Sequence, residues 1–405
     1  MSETGLLRAP REILFGAGAV DALGRVVARL GQRVLVCTDD YLAGAAPGRR
    51  TLAALRTAGL DVHMLTTAFP ELPKANVEET IALARAYRPD VVVGLGGGSC
   101  IDLAKLVALG LSHPGPLDAF YGEKGVPGPV LPLVAVPTTA GTGSEVTPVA
   151  VLGDPERELK VGISSRELIP WAAVCDPVLT HGAPPHVTAY AGIDALAHAI
   201  EAYCTTRAQS VDAVADRIFT GANALTDGFA LQAVELLAGG LRGALADEPA
   251  GRAATMQGSL AAGLAFGTAG TAAAHALQYP LGARTKTPHG LGVGLLLPFV
   301  MRFIMPASET RLAAVATAMG AGDTPADAID AVRTLAHDLG LPSSLEAIGV
   351  QPEEIAPMAR QAVGIDRLIR NSPRPLDAGD AEAILAAALH GDLERLDLTT
   401  PETQR

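Results

Sequence analysis

The sequence predicts an α/β half followed by an all-helical half. Short apolar runs alternate with helical patterns over the first 180 residues or so. Beyond Thr180 the chain is rich in Ala and Leu at helical spacing, with few β-branched runs. Between the two textures lies His181-Gly-Ala-Pro-Pro185, a turn-forming and rigid segment. Alternating strands and helices imply parallel pairing with crossovers, whereas Ala and Leu favour helix. The expected domains are therefore residues 1–182 and 183–405.

Within the first half, Arg33–Cys37, Asp61–Leu65, Val91–Leu95 and Val130–Val136 read as strands. Helical patterns cover Ala45–Ala58 and Val77–Tyr87, and another starts at Cys100. In the second half, helices are predicted over Ala189–Ala202, Val211–Thr226, Leu231–Leu245, Arg252–Phe266, Thr310–Met319, Ala326–Leu339, Glu353–Val363 and Ala381–Leu389. The polar tail Thr399–Arg405 is expected to fray.

The chain has 405 residues, enough for two sizeable cores. Hydrophobic residues make up 49% and aromatics only 4%, so the cores must be built from Ala, Leu and Val. A net charge of −12 argues against nucleic acid as the main partner, because phosphate binding needs clustered Lys and Arg. Cys37, Cys100, Cys175 and Cys204 show no CxxC spacing and are expected to be reduced thiols of a cytoplasmic protein. Nothing resembles a signal peptide, and Gly, Pro or charge is expected to interrupt every apolar stretch before it can span a membrane.

Gly94-Leu-Gly-Gly-Gly-Ser99 directly follows a predicted strand and precedes a predicted helix. Glycines there let the backbone approach a pyrophosphate, whose charge the helix N-terminus favours. The run is not the dinucleotide fingerprint, since Ser99 stands where the third Gly would be. Asp39 follows another strand, as either a ribose-binding carboxylate, which would favour NAD over NADP, or a helix N-cap. The hydroxyl-rich Pro137-Thr-Thr-Ala-Gly-Thr-Gly-Ser-Glu145 also follows a strand, at the sheet edge where ligands bind in such folds.

Asp194 and His198 are four apart, on one helix face, while His275 and His289 flank a turn-rich stretch. Each has a structural reading as cap, interior histidine or turn residue. Together, one carboxylate and three imidazoles suit Fe²⁺ or Zn²⁺ with positions left for water or substrate.

These motifs together resemble the iron-containing (group III) alcohol dehydrogenases: Gly96-Gly-Gly-Ser99 with Asp102, Pro137–Glu145, Gly192-Ile-Asp-Ala-Leu-Ala-His198, His275 with Pro288-His289-Gly, and Asn371-Ser-Pro-Arg-Pro375. The resemblance implies a dehydroquinate synthase-like fold, with a dinucleotide-binding α/β domain, a helical domain and a metal between them. It implies Asp194, His198, His275 and His289 as ligands, and a homodimer that reduces or oxidises small aldehydes or alcohols. It also implies Asp39, Gly96, Gly97, Gly98, Ser99, Asp102, Thr138, Thr139, Thr142, Ser144 and Lys160 as cofactor residues, with Lys160 at the nicotinamide ribose. The chain departs from the pattern at Tyr279, where many members carry a second His. Tyrosine titrates near 10, so it is a poorer proton shuttle at neutral pH. Arg284 and Lys286 also flank the last ligand, and with Tyr279 they are candidates to receive an anionic substrate group. Maleylacetate reductase and hydroxyacid–oxoacid transhydrogenase activities are competing readings. From another class, so is a metal- and NAD-dependent cyclising lyase of the dehydroquinate synthase type.

Overall fold

A computed structural model of the chain describes residues 4–123, 125–157, 160–207, 214 and 217–396. The first half contains β1 (Glu12–Phe15), β2 (Arg33–Cys37), β3 (Asp61–Leu65), β4 (Val91–Gly96), β5 (Gly122–Glu123), β6 (Leu133–Pro137), β7 (Val149–Leu152), β8 (Val161–Ser164) and β9 (Ala172–Cys175). Six strands form one parallel sheet in the order β1-β9-β6-β4-β2-β3. All of β4 is buried, as expected of a central parallel strand covered on both faces. Alternate residues feed two cores. Leu35, Cys37 and Val92 pack on one face; Val34, Val36, Val91 and Val93 pack on the other.

β2 pairs with β3 on one side and with β4 on the other, so the chain reverses direction across the sheet there. A crevice opens beyond the strand ends at such a reversal. Asp39 follows β2, and Gly97-Gly98-Ser99 follows β4 into helix Gly98–Ser112. A smaller sheet, β5-β8-β7, lies beside this edge.

The four-residue strands β1, β7, β8 and β9 were not anticipated, being too short to show a period. β6 begins at Leu133 and not at Val130, because Pro132 has no amide to give the ladder.

The second half is helical: Pro185–Cys204, Ala224–Leu245, Pro249–Ala269, Ala273–Thr285, His289–Ala318, Pro325–Asp338, Pro352–Val363, Asp366–Ile369 and Ala378–His390. Every residue from Gly192 to Cys204 is buried, so helix Pro185–Cys204 runs through the core. The helix predicted over Val211–Thr226 falls partly outside the described residues, and residues 217–223 are irregular before the helix starts at Ala224. The predicted tail lies outside the described residues.

Helix His289–Ala318 corrects the reading of the apolar stretches. It carries Pro298 and Pro306 internally, and by length and composition it could cross a membrane, with a mean hydropathy of 1.7. In the fold, 72% of that apolar window is buried in the protein, as expected of a core helix. The four cysteines are free and buried.

The two halves share a small core, in which Val146, Ala173 and Cys175 pack against Met256, Leu260 and Leu264. The segment Gly5–Pro10 also crosses between them. Arg8 donates to the Ile218 carbonyl at 2.8 Å, and Asn223 donates to the Leu6 carbonyl at 3.1 Å.

Candidate active site

Three helices bring the acid and the imidazoles together. Asp194 and His198 lie one turn apart on helix Pro185–Cys204. His275 sits in the first turn of helix Ala273–Thr285, after a 100° bend from the preceding helix. Gly270 makes that bend at φ +85°, and Asn371 donates to the Ala269 and Thr271 carbonyls across it. His289 opens the next helix. The turn expected between the two histidines is confined to residues 286–288, because the helix continues through Pro280.

Donor atoms of Asp194, His198 and His275 all lie within 4.8 Å of one another. Asp194 Oδ1 is 3.6 Å from His275 Nε2 and 3.8 Å from His289 Nε2. Tetrahedral ligands at about 2.1 Å from an ion are separated by roughly 3.4 Å, so this spacing suits one cation. Asp194 Oδ1, His198 Nδ1 and His275 Nε2 are buried without a hydrogen-bond partner. Orphaned buried donors of this kind are costly unless a ligand satisfies them. The donor set therefore fits a divalent metal.

Glu201 and Gln278 aim two of the imidazoles. The Glu201 carboxylate accepts from His275 Nδ1 at 2.6 Å and caps the helix by accepting from Ala272 N and Ala274 N. Gln278 Oε1 lies 2.7 Å from His289 Nδ1 and accepts its proton when that nitrogen carries one. Both contacts leave the Nε2 lone pairs facing the site, the usual outer-shell arrangement for metal-binding histidines. Burial pushes His198 and His289 well below the ordinary histidine value, reinforced in both by His275. Burial also lowers His275, but Glu201 and Asp194 outweigh it and leave it raised. Burial raises Asp194 to about 7, against the pull of His275. Phe266 stacks on His198 at 4.1 Å between ring centroids and walls the site.

The metal-ligand candidates line a cavity of about 270 Å³ with Gly98, Ser99, Asp102, Thr142, Ser144, Lys160 and Tyr279. Gly98 and Ser99 also line a longer cleft, of about 680 Å³, with Asp39, Gly97, Thr138 and Thr139. One continuous groove therefore runs from the crevice at β2 and β4 to the acid–imidazole cluster. A Cβ on Gly98 would lie 2.8 Å from Thr142 Cγ2, so a larger residue there must displace Thr142, and one on Gly97 would press on Thr139 Oγ1 at 3.3 Å.

Asp39 caps helix Asp40–Gly44, accepting from Leu42 N at 2.7 Å, and also lines the cleft. Gly96 is in β4 at φ +141°, and a Cβ there would strike Cys100 Sγ. Asp102 is tied by Ser144 Oγ and by Val151 N at 2.9 Å. Lys160 pairs with Glu71 at 2.5 Å.

A family model described as iron-containing alcohol dehydrogenase matches residues 10–177. A second, the C-terminal part of the Fe-containing alcohol dehydrogenase family, matches residues 188–389. The chain belongs to the iron-containing alcohol dehydrogenase family. It is similar to long-chain-alcohol dehydrogenase 1 of Geobacillus thermodenitrificans, with 36% identity covering 93% of this chain and 95% of that one. Sulfoacetaldehyde reductase of Bilophila wadsworthia is 32% identical, covering 93% and 97%. The crystal structure of a 1,3-propanediol oxidoreductase superposes with a TM-score of 0.89 at 33% identity, covering 96% of this chain and all of that one. Family membership makes the chain an oxidoreductase and implies a metal.

In this iron-containing alcohol dehydrogenase, Arg284 and Lys286 do not reach the cavity, contrary to the expectation from sequence. Arg284 is exposed and pairs with Glu354 on a separate surface groove, because its helix face turns toward helix Pro352–Val363. Lys286 is exposed at the helix C-cap, at φ 58°. Tyr279 does line the cavity, with its ring 6.1 Å from that of His289.

Sequence reasoning missed Glu201, Gln278, Lys105 and Arg367. Glu201 and Gln278 had a readable signal. Glu201 is seven residues beyond Asp194 and three beyond His198, and Gln278 is three beyond His275, all same-face spacings. Lys105 is fully buried and donates to the Thr147 and Val149 carbonyls at 2.9 and 2.7 Å. Burial depresses it to about 8.

Proposed function

We propose that this enzyme transfers hydride reversibly between NAD and a small alcohol or aldehyde, with Asp194, His198, His275 and His289 holding Fe²⁺ or Zn²⁺. The observation that carries this reading is the convergence of ligand atoms of Asp194, His198 and His275, all within 4.8 Å of one another, at the inner end of the groove that starts at the glycine loop. The domain division at residues 182 and 183 belongs to the same reading, with the glycine loop on one side of it and the acid–imidazole cluster on the other.

When bound, the cation supplies Lewis-acid polarisation of the substrate oxygen, and the nicotinamide supplies the hydride site. The protein's own work is positioning. Gly97 and Gly98 present a side-chain-free cradle, with the Ser99 hydroxyl beside it, at the start of helix Gly98–Ser112, whose N-terminus favours a pyrophosphate. Thr138, Thr139, Thr142 and Ser144 offer hydroxyls along the groove, and Lys160 offers a charge at its inner end. Asp39 holds a carboxylate at the outer end, where it disfavours a 2′-phosphate and so selects NAD over NADP. Glu201 and Gln278 hold His275 and His289 through their Nδ1 atoms and leave Nε2 of each toward the site. Phe266 excludes water from His198, and Tyr279 presents a hydroxyl to the substrate side.

The relatives' names span neutral, cationic and anionic substrates, among them a methanol dehydrogenase, a choline dehydrogenase and a sulfoacetaldehyde reductase. That breadth supports a common hydride-transfer chemistry more than any one substrate. The test is NADH-linked turnover of short aldehydes after chelation and reconstitution with Fe²⁺ or Zn²⁺. Turnover should vanish on chelation and return with metal, and His275→Ala should lose bound metal and turnover together. Activity unchanged in metal-free enzyme would refute the reading. Net NADH consumption separates it from a cyclising lyase, and from a transhydrogenase that keeps its cofactor bound.

A further inference from the structure

The cavity at the acid–imidazole cluster opens outward into a vestibule, and Arg367, Lys160 and Tyr279 line both. The cations at this mouth differ in what they already hold. Lys160 pairs with Glu71. Arg370 pairs with Glu123 at 2.8 Å and Asp366 at 3.5 Å. Arg217 stands exposed at the outer rim. Arg367 is half-buried and makes no ion pair or hydrogen bond among the described residues. Its guanidinium carbon instead lies 5.1 Å from the centroid of the Phe219 ring, itself part of the cavity wall. Such stacking fixes the plane of a guanidinium without using its N–H donors.

An unpaired, partly desolvated guanidinium facing a substrate cavity is a ready receptor for an anion, because five donors in a fixed fork match a planar or tetrahedral oxyanion. A role for the cofactor pyrophosphate is disfavoured by position. Arg367 comes from the helical half and is absent from the cleft that holds Asp39, Thr138 and Thr139. Neutralising the acid cluster is equally disfavoured, since Arg367 pairs with neither Asp194 nor Glu201.

We propose that Arg367 is a specificity-determining residue that binds an anionic group, a carboxylate, sulfonate or phosphonate, at the end of the substrate remote from the reacting carbonyl. This rests on the aldehyde-reductase reading above, and it moves the anion receptor from Arg284 and Lys286 to Arg367.

The experiment compares kcat/KM of the metal-reconstituted enzyme for succinic semialdehyde, sulfoacetaldehyde, phosphonoacetaldehyde and neutral butanal. A second readout is inhibition by propane-1-sulfonate, with binding of the same compound to metal-free enzyme measured by calorimetry. Wild type should prefer at least one anionic aldehyde over butanal. Arg367→Gln should lower kcat/KM for that aldehyde by about 10- to 100-fold more than for butanal, the scale of a lost charge-assisted hydrogen bond. Arg367→Lys should recover part of the difference, and Arg284→Gln should leave the preference intact. Propane-1-sulfonate binding should weaken in Arg367→Gln by a similar factor. The headgroup that loses most identifies the anion. Equal losses on anionic and neutral aldehydes, or a wild type without anionic preference, would overturn the assignment. Absence of any aldehyde turnover, with sulfonate binding still dependent on Arg367, would instead remove the aldehyde-reductase reading and leave the anion site standing.

Discussion

Single residues at the cluster have divided roles, and Glu201 shows this best. It is buried, it caps helix Ala273–Thr285 and it fixes the tautomer of His275. A glutamine there keeps the shape, but its amide group must point an N–H at a backbone N–H or at His275 Nδ1. Glu201→Gln should therefore weaken zinc binding by about 10- to 100-fold while the far-ultraviolet circular dichroism stays native. Zinc affinity within threefold of wild type, measured by competition with a chromophoric chelator, would show that the carboxylate serves only as a cap. The mutual chemistry of the cluster also depends on water exclusion. Burial, more than any partner, keeps His198 and His289 neutral and available as ligands.

At the scale of elements, the cluster depends on how closely helices pass. Gly290 lies where helix His289–Ala318 crosses helix Pro185–Cys204. A Cβ there would stand 2.1 Å from the Tyr190 carbonyl oxygen and 3.0 Å from Asp194 Cβ. The nearest atoms are backbone, which cannot rotate aside, so Gly290→Ala must separate the helix carrying Asp194 from the one opened by His289. The expected result is overpacking strain of about 1–3 kcal/mol together with weakened metal binding. Thermal unfolding of the chelated protein and zinc titration would both register it. A variant that matched wild type in both would mean the helices can separate without disturbing the ligands. The same closeness explains why the ligand spacing was legible while the outer supports were not. Asp194 and His198 advertise a shared face by their spacing of four, whereas Arg367 shares no local period with any ligand and reaches the cavity only because of how the helices pack.

Across the whole molecule, buried charge links the sheet half to pH. Glu145 ends the hydroxyl-rich loop, and burial raises it from an ordinary 4.5 to about 7, against the opposing pull of Lys105. A carboxyl raised on folding lends stability that is complete below about pH 4.5 and is lost as pH rises through about 7. Lys105 behaves oppositely. Depressed to about 8, it favours the fold most when neutral, and that contribution falls as pH drops from 10.5 through about 8. Glu145→Gln removes the first dependence. In metal-free protein, its urea midpoint should gain on that of wild type between about pH 5 and about pH 7.5. An offset independent of pH would show that Glu145 ionises no differently in the folded and unfolded chain.

The α/β-then-helical order, the glycine loop and the four candidate ligands were legible because each is written locally, as a period, a turn or a same-face spacing. The short strands β1, β7, β8 and β9 were not, since four residues carry too little pattern and their pairing partners lie far along the chain. The long helix His289–Ala318 was read only at its C-terminal end, because Thr310–Met319 lies beyond a kink at Ser308, two residues after Pro306, where the backbone leaves the helical region. By itself, then, the sequence determined the class of fold, the family and the chemical types gathered at the site. Tertiary structure alone decided which basic residue lines the cavity. Arg284 and Arg367 are equivalent as residue types, but packing against helix Pro352–Val363 turns the first outward onto Glu354, while the second has no ion-pair partner among the described residues at the cavity mouth.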